Sequence, residues 1–125
     1  MTETQTDNPF VFFDLRTTDL GPTRAFYEAM FGWRVEEVRA GEQTLSFLAG
    51  EDGPWAGFTE LPEDDDRSPQ WIPYVPVADV DEAKTRAVNR GASVVRDRTE
   101  LPQGSLVVVT DPGGAALVLW QDRVA

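Results

Sequence analysis

At 125 residues the chain has the length of one ordinary domain, and 41 % apolar residues with four Trp, seven Phe and two Tyr suffice for a core. A formal charge of −11 repels phosphate backbones and so argues against nucleic acid as a partner, and no run nears the ~20 apolar residues of a membrane-spanning helix. With neither Cys nor His, the chain lacks disulfides, a thiol nucleophile, the commonest general base and the commonest metal ligand.

Residues 1–8 are polar and acidic and lack the basic and apolar parts of a secretion signal, so they read as a disordered start to a cytoplasmic protein. Val11 to Thr17 alternates with period two, the mark of a half-buried strand. Asp19 is placed to cap a helix whose first turn holds Pro22; Ala25, Phe26, Ala29 and Met30 recur at helical spacing, and Gly32 ends it. Strands are expected over Trp33 to Val38, Thr44 to Ala49 and Trp55 to Glu60, with turns at Ala40-Gly41 and Glu51 to Pro54. Residues 62–69 carry like charges between two prolines and read as a solvated acidic linker; they lack the spacing of a calcium loop.

The second half repeats this order. Trp71 to Val77 is a strand, Asp79 a cap, and Val80, Ala83, Ala87 and Val88 share a helical face closed by Gly91. Strands follow over Ser93 to Asp97, Ser105 to Thr110 and Ala115 to Gln121, the last entered through the turn Asp111-Pro112-Gly113-Gly114. Phe12, Leu15 and Asp19 map onto Ile72, Val75 and Asp79, and Gly32, Asp52 and Ala56 onto Gly91, Asp111 and Ala115. The expected fold is therefore α+β: two tandem β-α-β-β-β modules, residues 9–61 and 70–122, in one structural domain. Eight strands in a mixed sheet would curve around a concavity, with the helices on the outer faces.

Phe13-Asp14-Leu15-Arg16-Thr17-Thr18-Asp19, Ala25-Phe26-Tyr27, Phe31-Gly32-Trp33, Val77-Ala78-Asp79-Val80-Asp81, Gly91-Ala92 and Asp111-Pro112-Gly113-Gly114 together resemble the vicinal oxygen chelate superfamily. That superfamily includes glyoxalase I, extradiol dioxygenases and bleomycin-resistance proteins, and the resemblance runs from about Phe10 to Gln121. It specifies the fold far better than the reaction. It implies one metal ligand on each of four strands, at positions that fall on Phe12, Thr59, Ile72 and Val118. None of these is a strong ligand, so no metal and no other cofactor is expected. Glu60 is one residue out of register and turned to the other face.

Alternation alone turns Phe12, Asp14 and Arg16 of the first strand inward, with Ile72 and Tyr74 of the fifth, Val118 and Trp120 of the last, and Gly57 and Thr59 of the fourth. Trp55 is expected near the rim, and Phe47 and Trp71 at the edges. The set describes an aromatic-rich surface with a few polar groups, suited to a planar or conjugated small molecule. Asp14 and Arg16, two apart on one strand, can pair with each other or share a ligand. The function expected is metal-free sequestration of a bulky aromatic or cationic natural product, as in the antibiotic-binding members of the superfamily, by a homodimer. The alternatives are a metal-independent isomerase, cyclase or lyase using Asp14 and Tyr74 as acid and base, and a metal-dependent lyase or dioxygenase.

Overall fold

The structure, a computed structural model, describes residues 8–61 and 68–123. The expected disordered start and acidic linker fall outside the described residues, except for Asn8, Ser68 and Pro69. In chain order the elements are β1 (Phe12–Thr17), α1 (Leu20–Phe31), β2 (Arg34–Ala40), β3 (Gln43–Gly50), β4 (Gly53–Glu60), β5 (Gln70–Pro76), α2 (Val80–Asn89), β6 (Ser93–Leu101), β7 (Gly104–Thr110) and β8 (Ala116–Asp122). The class is α+β, as the alternation predicts, and the β-α-β-β-β order occurs twice. No helix among the described residues is long and apolar enough to cross a membrane.

The chain divides into two compact units, one of Phe12–Ile72 and one running from Pro73 onward that takes in the segment up to Val11. The division falls inside β5 rather than in the linker between residues 61 and 70. Gln70, Trp71 and Ile72 go with the first unit, where Trp71 meets the rings of Phe13 and Trp55. Val11 belongs to the second, donating its N–H to the Tyr74 carbonyl at 3.0 Å.

In the first unit β1 runs parallel to β4, with Asp14 beside Gly57 and Arg16 beside Thr59, while β3 and β2 extend the sheet antiparallel. Helix α1 starts at the N-cap position of Asp19, yet that side chain makes no capping bond. The Leu20 N–H is instead offered to the Glu60 carboxylate at 3.3 Å, while the Thr17 hydroxyl takes the Asp19 N–H at 3.1 Å. At the other end Gly32 adopts φ 67°, the left-handed conformation that glycine reaches without penalty, and its N–H closes onto the Glu28 carbonyl.

The face that α1 turns to its sheet differs from the one expected. Phe26 and Met30 are more than half exposed, at 53 % and 59 %. The inward stripe is Leu20, Thr23, Arg24 and Tyr27, which satisfies the same helical period. Polar anchors decide between the two stripes: Thr23 bonds the Thr17 hydroxyl, Arg24 pairs with Glu37, and the Tyr27 hydroxyl accepts the Trp71 indole N–H at 3.1 Å.

In the second unit β5 runs parallel to β8, and β7 and β6 follow antiparallel. Asp79 caps α2 as its sequence position suggests, accepting the N–H groups of Asp81 and Glu82. Val80 and Ala83 bury against Val107, Val109 and Leu119 to make the core of this unit. Val88, expected on the same face, is 46 % exposed, because the inward stripe runs through Val80, Ala83, Lys84 and Ala87. Strand β6 continues past the expected end at Asp97 to Leu101, with register shifts on the way.

Arg98 on β6 gathers Glu100 and Asp81, and Arg123 reaches Glu100 from beyond β8. The Arg98 guanidinium, helped by the Ser105 hydroxyl, holds the Glu100 carboxyl down to about 2. A carboxyl lowered by folding adds stability above its unfolded pKa, and the gain is lost as pH falls through the folded value. Between pH 4.5 and about 2 the wild type should therefore lose melting temperature more steeply than Glu100→Gln, whose curve differs most from it near neutrality. Parallel curves from thermal melts across that range would mean that the cluster contributes nothing.

Candidate functional site

The expected site residues of the first unit fall into two groups on opposite faces of its sheet. On the first face Arg16 donates from Nε to Asp14 Oδ2 at 2.9 Å, and the Thr59 hydroxyl donates to Asp14 Oδ1 at 2.6 Å. Parallel pairing causes this, since it sets Arg16 beside Thr59 with Asp14 one pleat away on the same face. Asp14 and Arg16 are 8 % and 7 % exposed, so the pair is shielded from water while Thr59 lies open. Phe12 and Phe47 meet edge to face at 6.4 Å across Gly57, where an added methyl would lie 3.5 Å from both rings.

Trp55 and Trp71 belong to the other face, correcting the rim and edge positions expected for them. Between Leu48 and Ala49 on β3 the pairing with β4 skips from Ala56 to Pro54, leaving Trp55 as the extra residue of a β-bulge. The bulge takes Trp55 out of phase with Gly57 and Thr59 and onto the side of Phe13. There Phe13 stands edge-on to Trp55 at 6.3 Å and to Trp71 at 6.2 Å, while Trp55 and Trp71 lie parallel at 6.2 Å. Trp33 meets Trp55 edge to face at 4.9 Å. These four side chains line a cleft of about 240 Å³. Phe13 and Trp33 were not among the expected site residues; the available signal was that Phe13 and Trp71 share the outward phase of their strands.

In the second unit Tyr74 and Trp120 meet at 5.7 Å with rings tilted by 50°, and Val118 is the strand partner of Tyr74. The Trp120 indole donates to Asp122 at 2.6 Å. Ile72, at the end of the first unit, and Val118 are each 1 % exposed. Both therefore fill core, and neither offers a surface to a ligand in this state.

The four positions at which the resemblance implies metal ligands hold Phe12, Thr59, Ile72 and Val118, which supply one hydroxyl and no carboxylate, imidazole or thiolate. That donor set does not fit a divalent ion, and among the described residues no three acidic side chains cluster to replace it.

The glyoxalase-like domain family model matches residues 10–119. The chain belongs to this family, within the vicinal oxygen chelate superfamily. It is 31 % identical over 115 residues to the putative glyoxylase CFP32 of Mycobacterium tuberculosis, covering 86 % of this chain and 43 % of that protein. It is also 31 % identical to the anthracycline biosynthesis protein DauV of Streptomyces sp. strain C5, over 90 % of this chain and 41 % of that one. The chain thus spans about two-fifths of the length of these relatives. Among solved structures, methylmalonyl-CoA epimerase from Mycobacterium tuberculosis superposes with a TM-score of 0.62 at 19 % identity, over 99 % of this chain and 94 % of the epimerase. A glyoxalase/bleomycin resistance protein/dioxygenase superfamily member from Vibrio splendidus gives 0.62 at 16 %, covering 89 % and 97 %. At these identities the structural likeness establishes the fold alone.

Proposed function

We propose that the chain binds a bulky aromatic or cationic natural product without a metal and without transforming it, as a homodimer. The observation that carries the reading is the Asp14–Arg16–Thr59 network beside the Phe12–Phe47 pair. It places a shielded charge pair and an open hydroxyl next to two rings that meet edge to face over a glycine. Apolar walls with a few fixed polar groups are the usual make-up of a small-molecule site. The Streptomyces relatives, named for anthracycline biosynthesis, support a polycyclic aromatic ligand. Both Asp14 oxygens already accept hydrogen bonds, one from a guanidinium, which opposes proton abstraction by this carboxylate and favours binding.

The biosynthetic names of the same relatives favour, as a second reading, a metal-independent isomerase, cyclase or lyase that employs Asp14 and Tyr74. Thermal melts with planar and glycosylated antibiotics, each followed by chromatography of the recovered compound, separate the two. At a hundredfold excess over the dissociation constant a ligand should stabilise the protein by about 2.7 kcal/mol, raising its melting temperature by roughly 10 °C. Recovery of unchanged compound supports sequestration, and conversion supports the enzyme. A flat response across the panel counts against both.

A further inference from the structure

We infer that the outer face of α1 is the surface through which two copies of this chain associate. This gives the homodimer proposed above its contact surface and rests on that part of the proposal, while owing nothing to the ligand.

Helix α1 has an apolar stripe on the side away from its sheet. With Leu20, Thr23, Arg24 and Tyr27 turned inward, the opposite stripe holds Gly21, Pro22, Ala25, Phe26, Ala29 and Met30, and every one of these is exposed. Glu28 is the one charged residue among the exposed positions of the helix. Helix α2 occupies the same place in the second module and leaves Asp81, Glu82, Thr85 and Arg86 exposed, as a helix that faces water does. The two halves of the repeat therefore differ at this surface, and the apolar version is the one that needs a cover.

Area, charge and relief commit that cover to a second copy. Phe26, Met30 and Phe31 are 53 %, 59 % and 54 % exposed, so at ~200 Å² per large side chain they leave on the order of 300 Å² open. Patches of this size on a monomer are often functional. Pro22, Ala25 and Ala29 raise it to roughly 450 Å², against the ~600 Å² that each partner gives to the smallest stable interfaces. At a net charge of −11, two copies repel each other over most of their surface, and approach costs least through a face that carries almost no charge. A basic partner would find Glu28 alone to pair with there. Ala25 and Ala29, one turn apart, form low ground beside Phe26 and Met30, also one turn apart. Under a two-fold axis between the alanines, Phe26 and Met30 of each copy lie over the alanines of the other, so the surface is complementary to itself.

Sedimentation equilibrium of the full chain at micromolar concentration tests this with Ala29→Glu and Ala29→Lys. Both replace an exposed helical alanine with a good helix former, so the fold is retained, as circular dichroism would verify. The wild type should sediment as a dimer. Each variant alone sets two like charges across the axis and should dimerise at least about a hundredfold more weakly. An equimolar mixture of the two sets opposite charges there and should recover a dimer to within about tenfold of wild type. A wild-type dimer that neither substitution weakens would overturn the inference and leave the homodimer standing. So would two weakened variants whose mixture does not recover, since the helices would then not face each other. A wild type that sediments as a monomer overturns both. Antibiotic-induced stabilisation is measured separately, so failure of the ligand reading is distinguishable from failure of the interface.

Discussion

Replacing Arg16 with Met should cost about 3 kcal/mol of folding stability, because it strands a buried carboxylate whose partner has gone. Asp14 and Arg16 are both less than a tenth exposed, and the guanidinium is the only cation bonded to Asp14 among the described residues. Thr59 supplies one hydroxyl hydrogen bond, which is not enough to replace a positive charge in a shielded site. Replacing both members, as Asp14→Leu with Arg16→Met, should cost much less than the sum of the single changes. The desolvation of two charges is then avoided along with their attraction. Urea titrations of the two single variants and the double variant complete the cycle. A strictly additive double variant would show that the pair is solvated and that its shielded character is no basis for a binding role. If the proposed function is right, the stable double variant also loses antibiotic-induced stabilisation while remaining folded.

Gly104→Ala should be as damaging, at about 3 kcal/mol or roughly 10 °C in melting temperature, by a purely steric route. A methyl group there would overlap the Gln121 carbonyl oxygen and stand 2.8 Å from Cζ2 of Trp120. The first obstacle is the backbone of β8, which cannot rotate out of the way as a side chain can. Relief therefore requires β7 to part from β8, and with it the Leu106–Trp120 and Ser105–Gln121 pairs. Gly21→Ala is the control, since its added methyl meets no atom within 4 Å and the position is helical. That change should be neutral or slightly stabilising. Equal melting temperatures for the two variants would mean that β8 yields at little cost.

Much of the molecule was legible in the order of residues. The two β-α-β-β-β runs, Asp79 as a cap, Gly32 as a helix end and the turn at Asp111 all follow from local rules. Each needs only a side chain and a backbone group a few residues away: Asp79 to the N–H groups of Asp81 and Glu82, Asp111 to those of Gly113 and Ala115. The pairing of Asp14 with Arg16 was legible for the same reason, since a spacing of two places both on one face of a strand.

What failed was decided across the sheet. Two stripes of α1 have helical spacing, and choosing between them required Thr17, Glu37 and Trp71, which lie on three different strands. Alternation on β4 is correct for Gly57 and Thr59 and wrong for Trp55, because a bulge is a mismatch in count between two strands and leaves no mark on either one read singly. The N-terminus of α1 takes its carboxylate from Glu60, forty residues away, where the local candidate was Asp19. Sequence by itself determined the elements and their order, because these depend on residue type and short-range geometry. Tertiary structure decided which aromatic side chains meet, since a single unpaired residue on β4 moved Trp55 from the face of Asp14 to that of Phe13.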